Sequence, residues 1–197
     1  MSHLVIAEVS SFLRHTLWLG FKDDQTTGQL VTNEANIVLS NPAQPVGANV
    51  TRQLSLWLYQ VLANEYLRND APVRKRDQND DTAQFYPPLA INLLYLLTPS
   101  TGSDLGDQQV LGRALQVFHD QSVLTLQSAQ LPSHSEELHV SLAPRTIEEL
   151  AKVWEAMQQP YRLSVCYEVR VARIDSLRKQ QAGRVGDRSS QLTNQAA

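Results

Sequence analysis

Cysteine is nearly missing from this chain: Cys166 is the only one in 197 residues. No intrachain disulfide can form, and no cysteine-based zinc site can be built from this chain alone, so the thiol reads as an inert core group. An excess of one charge is also missing. The formal net charge is -3, which argues against a strongly basic nucleic-acid binder, and 42% hydrophobic residues argue against a disordered chain. The partner class left standing is protein. No apolar run approaches the roughly 20 residues that a membrane-spanning helix needs; "PPLAINLLYLLTP", Pro87 to Pro99, is bracketed by prolines well before that. The N-terminus carries Glu8 and Arg14 inside its apolar pattern with no basic residue ahead of it, unlike a secretory signal, so synthesis and assembly in the cytoplasm are expected. There is no internal repeat.

What is present reads as one α+β domain over residues 1–175, followed by a flexible tail over 176–197 that is poor in apolar residues. Ile6, Val9, Leu13, Leu17 and Gly20 share one face at helical spacing, which predicts an amphipathic helix over about 3–19 with Ser2 as cap. The polar, turn-rich stretch from Phe21 to Arg52 contains one short strand, "NIVLS". In "QLSLWLYQVLANEYLRN", Leu54, Leu56 and Leu58 oppose Ser55, Trp57 and Tyr59, a strand pattern. "DAPVRKRDQNDDTAQFYPP" is highly charged and reads as a long hairpin-like loop.

The Pro87–Pro99 strand is apolar on both faces, so something must cover each side of it. Asp104 is placed to cap a helix whose stripe is Leu111, Ala114, Leu115 and Phe118. "ELHVSLAP" reads as a short strand. Thr146 and Glu149 make a capping box, and Leu150, Trp154 and Met157 follow at core spacing until Pro160 ends the helix. In "YRLSVCYEVRV", Tyr161, Leu163, Val165, Tyr167, Val169 and Val171 face one way, against Arg162, Ser164, Glu168 and Arg170.

No catalytic or metal template fits. Asp77, Asn79 and Asp81 begin like a calcium loop, but Thr82 stands where a sharp turn needs glycine and Pro88 where a bidentate glutamate is required. "HSEELH" spaces His134 and His139 wrongly for a zinc protease. His119 sits at a helix end, where an imidazole meets unpaired carbonyls. "TGSDLG" has neither a nucleophile-elbow nor a phosphate-loop pattern. "RKR" at 74–76 is answered at once by acidic residues, and the basic tail residues Arg178, Lys179, Arg184 and Arg188 read as solvated. The residues alone therefore give a non-enzymatic α+β domain with no cofactor, metal, small-molecule substrate, nucleic acid or membrane.

Four segments carry a resemblance: "LSLWLYQVLANEYLRN", "PPLAINLLYLLTP", "LGRALQVFHD" and "TIEELAKVWEAMQQPYRLSVCYEVRVARID". Together they resemble the tail-terminator, or cap, proteins of extracellular contractile injection systems, phage-tail-like particles that include antifeeding-prophage and virulence-cassette assemblies. The resemblance implies a single mixed, largely antiparallel sheet with helices on one face, and a structural role. A hexameric ring would sit on the distal end of the inner tube and sheath, end polymerisation and stabilise the extended sheath. It also implies a homo-oligomer whose partners are the terminal sheath and inner-tube proteins, built in the cytoplasm as part of a particle released outside the cell. A tail-completion or connector protein of another phage-like particle is the alternative.

A closed ring uses head-to-tail contacts, each of about 1,600 Å² with aromatic and arginine anchors at its centre. Trp57, Tyr59, Tyr66, Arg68, Phe85, Tyr86 and Arg113 are the candidate interface residues. Trp57 and Tyr59 are equally suited to filling the fold's own core.

Overall fold

The computed structural model describes residues 3–45, 47–48, 51–67, 71–76, 82–127 and 135–180. Its body is a six-stranded sheet. Ile37–Val38 (β1) runs parallel to Leu54–Ala63 (β2), and every other pairing is antiparallel. β2 pairs with Leu89–Pro99 (β5), β5 with Val165–Ile174 (β8), β8 with Ser135–Leu142 (β7), and β7 with Val123–Gln127 (β6). The sheet is thus mixed but largely antiparallel.

Alternation divides β5 between two cores. Ile91, Leu93, Tyr95 and Leu97 join the larger core, under Val5–Lys22 (α1) and Asp104–Asp120 (α3). The central position of β5 explains its near-continuous apolar sequence. Val5, Val9, Leu13, Leu17 and Phe21 recur at helical spacing and are all buried on this face. One polar contact threads the layer: the hydroxyls of Ser10 and Tyr95 lie 2.8 Å apart. Burial raises the Tyr95 phenol to about 12, so Tyr95 stays a neutral hydrogen-bonding group. A short helix, Thr27–Leu30 (α2), follows α1 and leans on α3.

The opposite face of β5 meets a neighbouring element of the same chain. Ile147–Ala156 (α4) sets Leu150 and Trp154 against Leu96 of β5 and Cys166 of β8, with Trp57 and Tyr59 of β2 at the margin. The helices therefore do not all lie on one face, because α4 returns to cover the second apolar stripe of β5. Its capping box forms in full: Glu149 N donates to Thr146 Oγ1 (3.2 Å), and Thr146 N donates to Glu149 Oε2 (2.9 Å). The helix ends before Pro160. Gln158 takes a left-handed φ of 56°, and that turn stops it.

Other boundaries shift for local reasons. Ser103 rather than Asp104 caps α3, its hydroxyl accepting from Gly106 N at 3.0 Å. The cap proposed at Ser2 lies outside the described residues, and Leu4 holds the cap position without a side-chain bond. β8 starts at Val165, leaving Tyr161 and Leu163 ahead of it. A register shift opposite Ile91/Leu93 then turns Ala172, not Val171, into the core.

The charged segment between β2 and β5 is more than a loop. Val73–Arg76 (β3) pairs with Thr82–Phe85 (β4), and β4 pairs with Lys179–Gln180 (β9), making a second, three-stranded sheet. The expectation of a single sheet holds for the body only. The start of the segment read as a tail is tied to β4 through β9. Residues 181–197, and the calcium-like Asp77, Asn79 and Asp81, lie outside the described residues.

Candidate subunit interface

Among the described residues, β2 is covered only at its beginning. Leu54, Ser55 and Leu56 are buried, Trp57 and Tyr59 are half-buried beside α4 and Leu58 against the larger core on the other face, and Gln60, Val61, Leu62 and Ala63 are exposed although three of the four are apolar. The helices on both faces stop short of this end. Beyond it the chain turns at Asn64, whose side-chain oxygen accepts from the backbone N–H groups of Tyr66 (3.0 Å) and Leu67 (3.2 Å). These bonds hold Tyr66 out in solvent, 94% exposed.

A groove of about 760 Å³ lies here, walled by Leu62, Tyr66, Tyr86 and Leu89. A polar relay braces its floor. Asn64 Nδ2 donates to Asn92 Oδ1 (3.0 Å), Asn92 Nδ2 donates to Glu168 Oε1 (2.9 Å), and Arg170 Nη2 donates to Glu168 Oε2 (2.7 Å). This relay links the turn to β5 and β8 and satisfies polar groups that the apolar surroundings would otherwise penalise. At the rim, the Arg178 guanidinium stacks 4.4 Å from the centre of the Tyr86 ring, and Tyr86 N donates to Arg178 O (3.0 Å).

Two of the seven candidates lie together on this surface: Tyr66 and Tyr86. Phe85 is half-buried in β4, opposite Val73 and Lys179. Trp57 and Tyr59 pack at the edge of the α4 core, ring centres 6.1 Å apart. Burial and then the neighbouring Cys166 thiol raise Tyr59 to about 12, with Arg145 pulling the other way. Arg113 serves the fold, because Nε and Nη2 both donate to Gly20 O (3.0 and 2.9 Å) and Nη1 donates to Gln116 Oε1 (2.7 Å). Arg68 lies outside the described residues.

The apolar members of the patch, Val61, Leu62 and Leu89, are not among the seven. Their signal in the sequence was an apolar stretch continuing past Tyr59 without a facing helix to receive it. Among the described residues, no group of three or more His, Cys, Asp or Glu side chains is placed to hold a metal, and no helix is long and apolar enough to cross a membrane. The groove offers apolar contact flanked by amides that already bond each other, chemistry suited to holding a partner.

The family model for the Pvc16 N-terminal domain matches residues 8–187. The chain belongs to the Pvc16 N-terminal domain family. Two solved structures resemble this Pvc16-type domain in fold. One is the sheath/tube terminator of an extracellular contractile injection system, PVC, in the extended state. It is 18% identical with a TM-score of 0.53, over 88% of this chain and 62% of that one. The other is the anti-feeding prophage cap, a tube-terminating cap, 19% identical with a TM-score of 0.52, over 85% of this chain and 59% of that one. The chain thus spans about three fifths of the length of each. No curated protein matches it. The tail-terminator fold expected from the four sequence segments is the fold found.

Proposed function

We propose that this Pvc16-type domain is a structural cap of a contractile, phage-tail-like particle and catalyses no reaction. Copies of the chain form a ring, hexameric by the family resemblance, on the end of the inner tube and sheath distal to the baseplate. The ring ends polymerisation and holds the extended sheath. Assembly takes place in the cytoplasm, and the ring leaves the cell as part of the particle. The observation that carries this reading is the shared fold along nearly the whole chain with two terminators from two such particles. It is supported by the surface: a braced apolar groove with Tyr66 and Tyr86 on its walls suits docking between subunits.

The test is electron microscopy of particles from a strain in which the gene is deleted. Tubes of uncontrolled length, or sheaths that contract or fall apart, are the expected outcome. Particles of normal length with intact sheaths would end the proposal.

A further inference from the structure

Among the described residues, the six-stranded sheet has backbone without a strand partner at both sides. At one side, Val140 N donates to Ser122 O (2.8 Å), so that pair is bonded across the β6–β7 ladder. Antiparallel alternation then turns the N–H and C=O groups of Leu124 and Leu126 toward β7 and those of Val123, Thr125 and Gln127 outward. At the other side, Asn64 N donates to Ala90 O (2.9 Å). By the same alternation Gln60 and Leu62 bond inward to β5, and Val61 and Ala63 point theirs outward. β1 covers β2 only at Leu54 and Ser55.

Sheets that stay monomeric blunt such borders with lysine, proline or inward charges. Neither border here has any of these, and the irregularity of β2 between Leu58 and Gln60 precedes its border rather than interrupting it. β6 reads VLTLQ, and the uncovered end of β2 reads QVLA. The side chains also favour pairing: Val123 is 50% and Val61 45% exposed, and both are residues that favour strands.

We propose that the Gln60–Ala63 border of one copy takes the β6 border of the next copy as an added strand, so that the sheet runs on from subunit to subunit around the ring. The two borders are opposite sides of one sheet, of similar length and both uncharged. Joining unlike borders leaves one of each kind free after every addition, which is the head-to-tail contact a ring repeats; pairing like borders would stop at a two-fold dimer. The joint would also cover Val61 and Leu62 and bring the neighbour against Tyr66 at the groove mouth. This inference rests on the ring reading and names the contact that closes it.

Two sets of variants of the full 197-residue chain test it. Val61→Pro and Thr125→Pro each delete one outward N–H and leave every inward bond intact. Each should keep the circular-dichroism spectrum of the wild type and associate about tenfold more weakly or worse by native mass spectrometry. Because a proline can disturb folding, a second set uses cysteine: Val61→Cys and Thr125→Cys, with buried Cys166 left in place. Mixed with a short bismaleimide crosslinker, the two variants should give a covalent dimer, neither should crosslink alone, and the double variant should give a ladder.

Rings that persist in both proline variants, with no crosslink in the mixture, overturn the strand joint and leave the ring standing. Crosslinking of Val61→Cys with itself also overturns the joint, in favour of a two-fold dimer. A wild-type chain that is monomeric both in solution and in particle fractions overturns the ring and the joint together.

Discussion

At Gly20, near the end of α1, a side chain has no room: a Cβ there would lie 2.2 Å from Cγ2 of Val117 on α3. Val117 is β-branched and held in a helix, so it cannot swing aside. Gly20→Ala should cost about 1–3 kcal/mol as an overpacking change, read as a lower midpoint in urea, and adding Val117→Ala should recover part of the loss. The same glycine exposes a carbonyl that α1 cannot satisfy internally, and Arg113 bonds it twice. Arg113→Ala should therefore destabilise the fold by about 1.5–3 kcal/mol, the range for bonds to a charged donor. Arg113→Lys should restore only part, since one ammonium cannot copy the fork. If Arg113 were an interface anchor instead, association would fall and thermal stability would not.

That residue also marks a limit of the sequence. Arg113 in "LGRAL" looks like any exposed helical arginine, and nothing local reveals a carbonyl 93 positions away waiting for it. The sequence leaves Trp57 and Tyr59 equally suited to core and interface for a similar reason: their half-burial depends on where α4 lands.

Among the elements, α4 carries the most weight for its length. Trp154 is 2% exposed, and its indole Nε1 donates to Ser164 Oγ (3.1 Å) across the turn into β8. Trp154→Ala should cost about 3–5 kcal/mol, and Trp154→Phe less, because it removes the bond while keeping most of the volume. The helix start adds a pH dependence. Its carboxyl partner, Glu149, is held below its ordinary value chiefly by the Thr146 backbone N–H. A depressed carboxylate stabilises the fold above its unfolded pKa, and that contribution disappears as pH falls through the lower, folded value. Acid should thus weaken the wild type more than Glu149→Gln, which keeps the geometry without the titration; parallel stability curves for the two between pH 5 and pH 2 would refute this.

The elements differ in how plainly their sequences speak. The Thr146–Glu149 signature and the alternation in Leu54–Tyr59 and Leu138–Leu142 state their structures directly, because capping and period-two burial are local effects. β3 does not, since Val73 is its only apolar residue and charge density hides a strand that pairs with a small exposed sheet. β6 lies in a Ser- and Gln-rich stretch, where only Leu124 and Leu126 mark an inner face. β9 has no apolar residue at all, so no burial pattern marks its pairing with β4.

For the molecule as a whole, the two sides of the sheet are built unequally. α1 and α3 cover one side over most of its length, whereas α4 shields only the part near Trp57, Leu96 and Cys166. Among the described residues, no helix covers the end of β2 or the groove beside it. Tyr66 is the cleanest probe of that surface. Tyr66→Ala should leave the thermal midpoint within the scatter of neutral surface changes, about 0.5 kcal/mol, and weaken association by about 1–2 kcal/mol if it is a central anchor. Equal losses in unfolding and association assays would return Tyr66 to the fold. The four segments that signalled the family lie mostly in the sheet and its covering helices, so the architecture was legible from them. The groove was not, because it is made where β2 outruns its helices and depends on the turn at Asn64.

The single thiol, enclosed under α4, has a bearing on where such a cap could endure. Cys166 is 3% exposed, and burial is the first cause that lifts its pKa, so little reactive thiolate is presented to oxidants. With no second cysteine in these 197 residues to bridge and the first one shut away, no disulfide forms within them in either a reducing cytosol or oxidising surroundings, and a particle that passes between them would carry a cap whose fold does not depend on the redox state of its thiol.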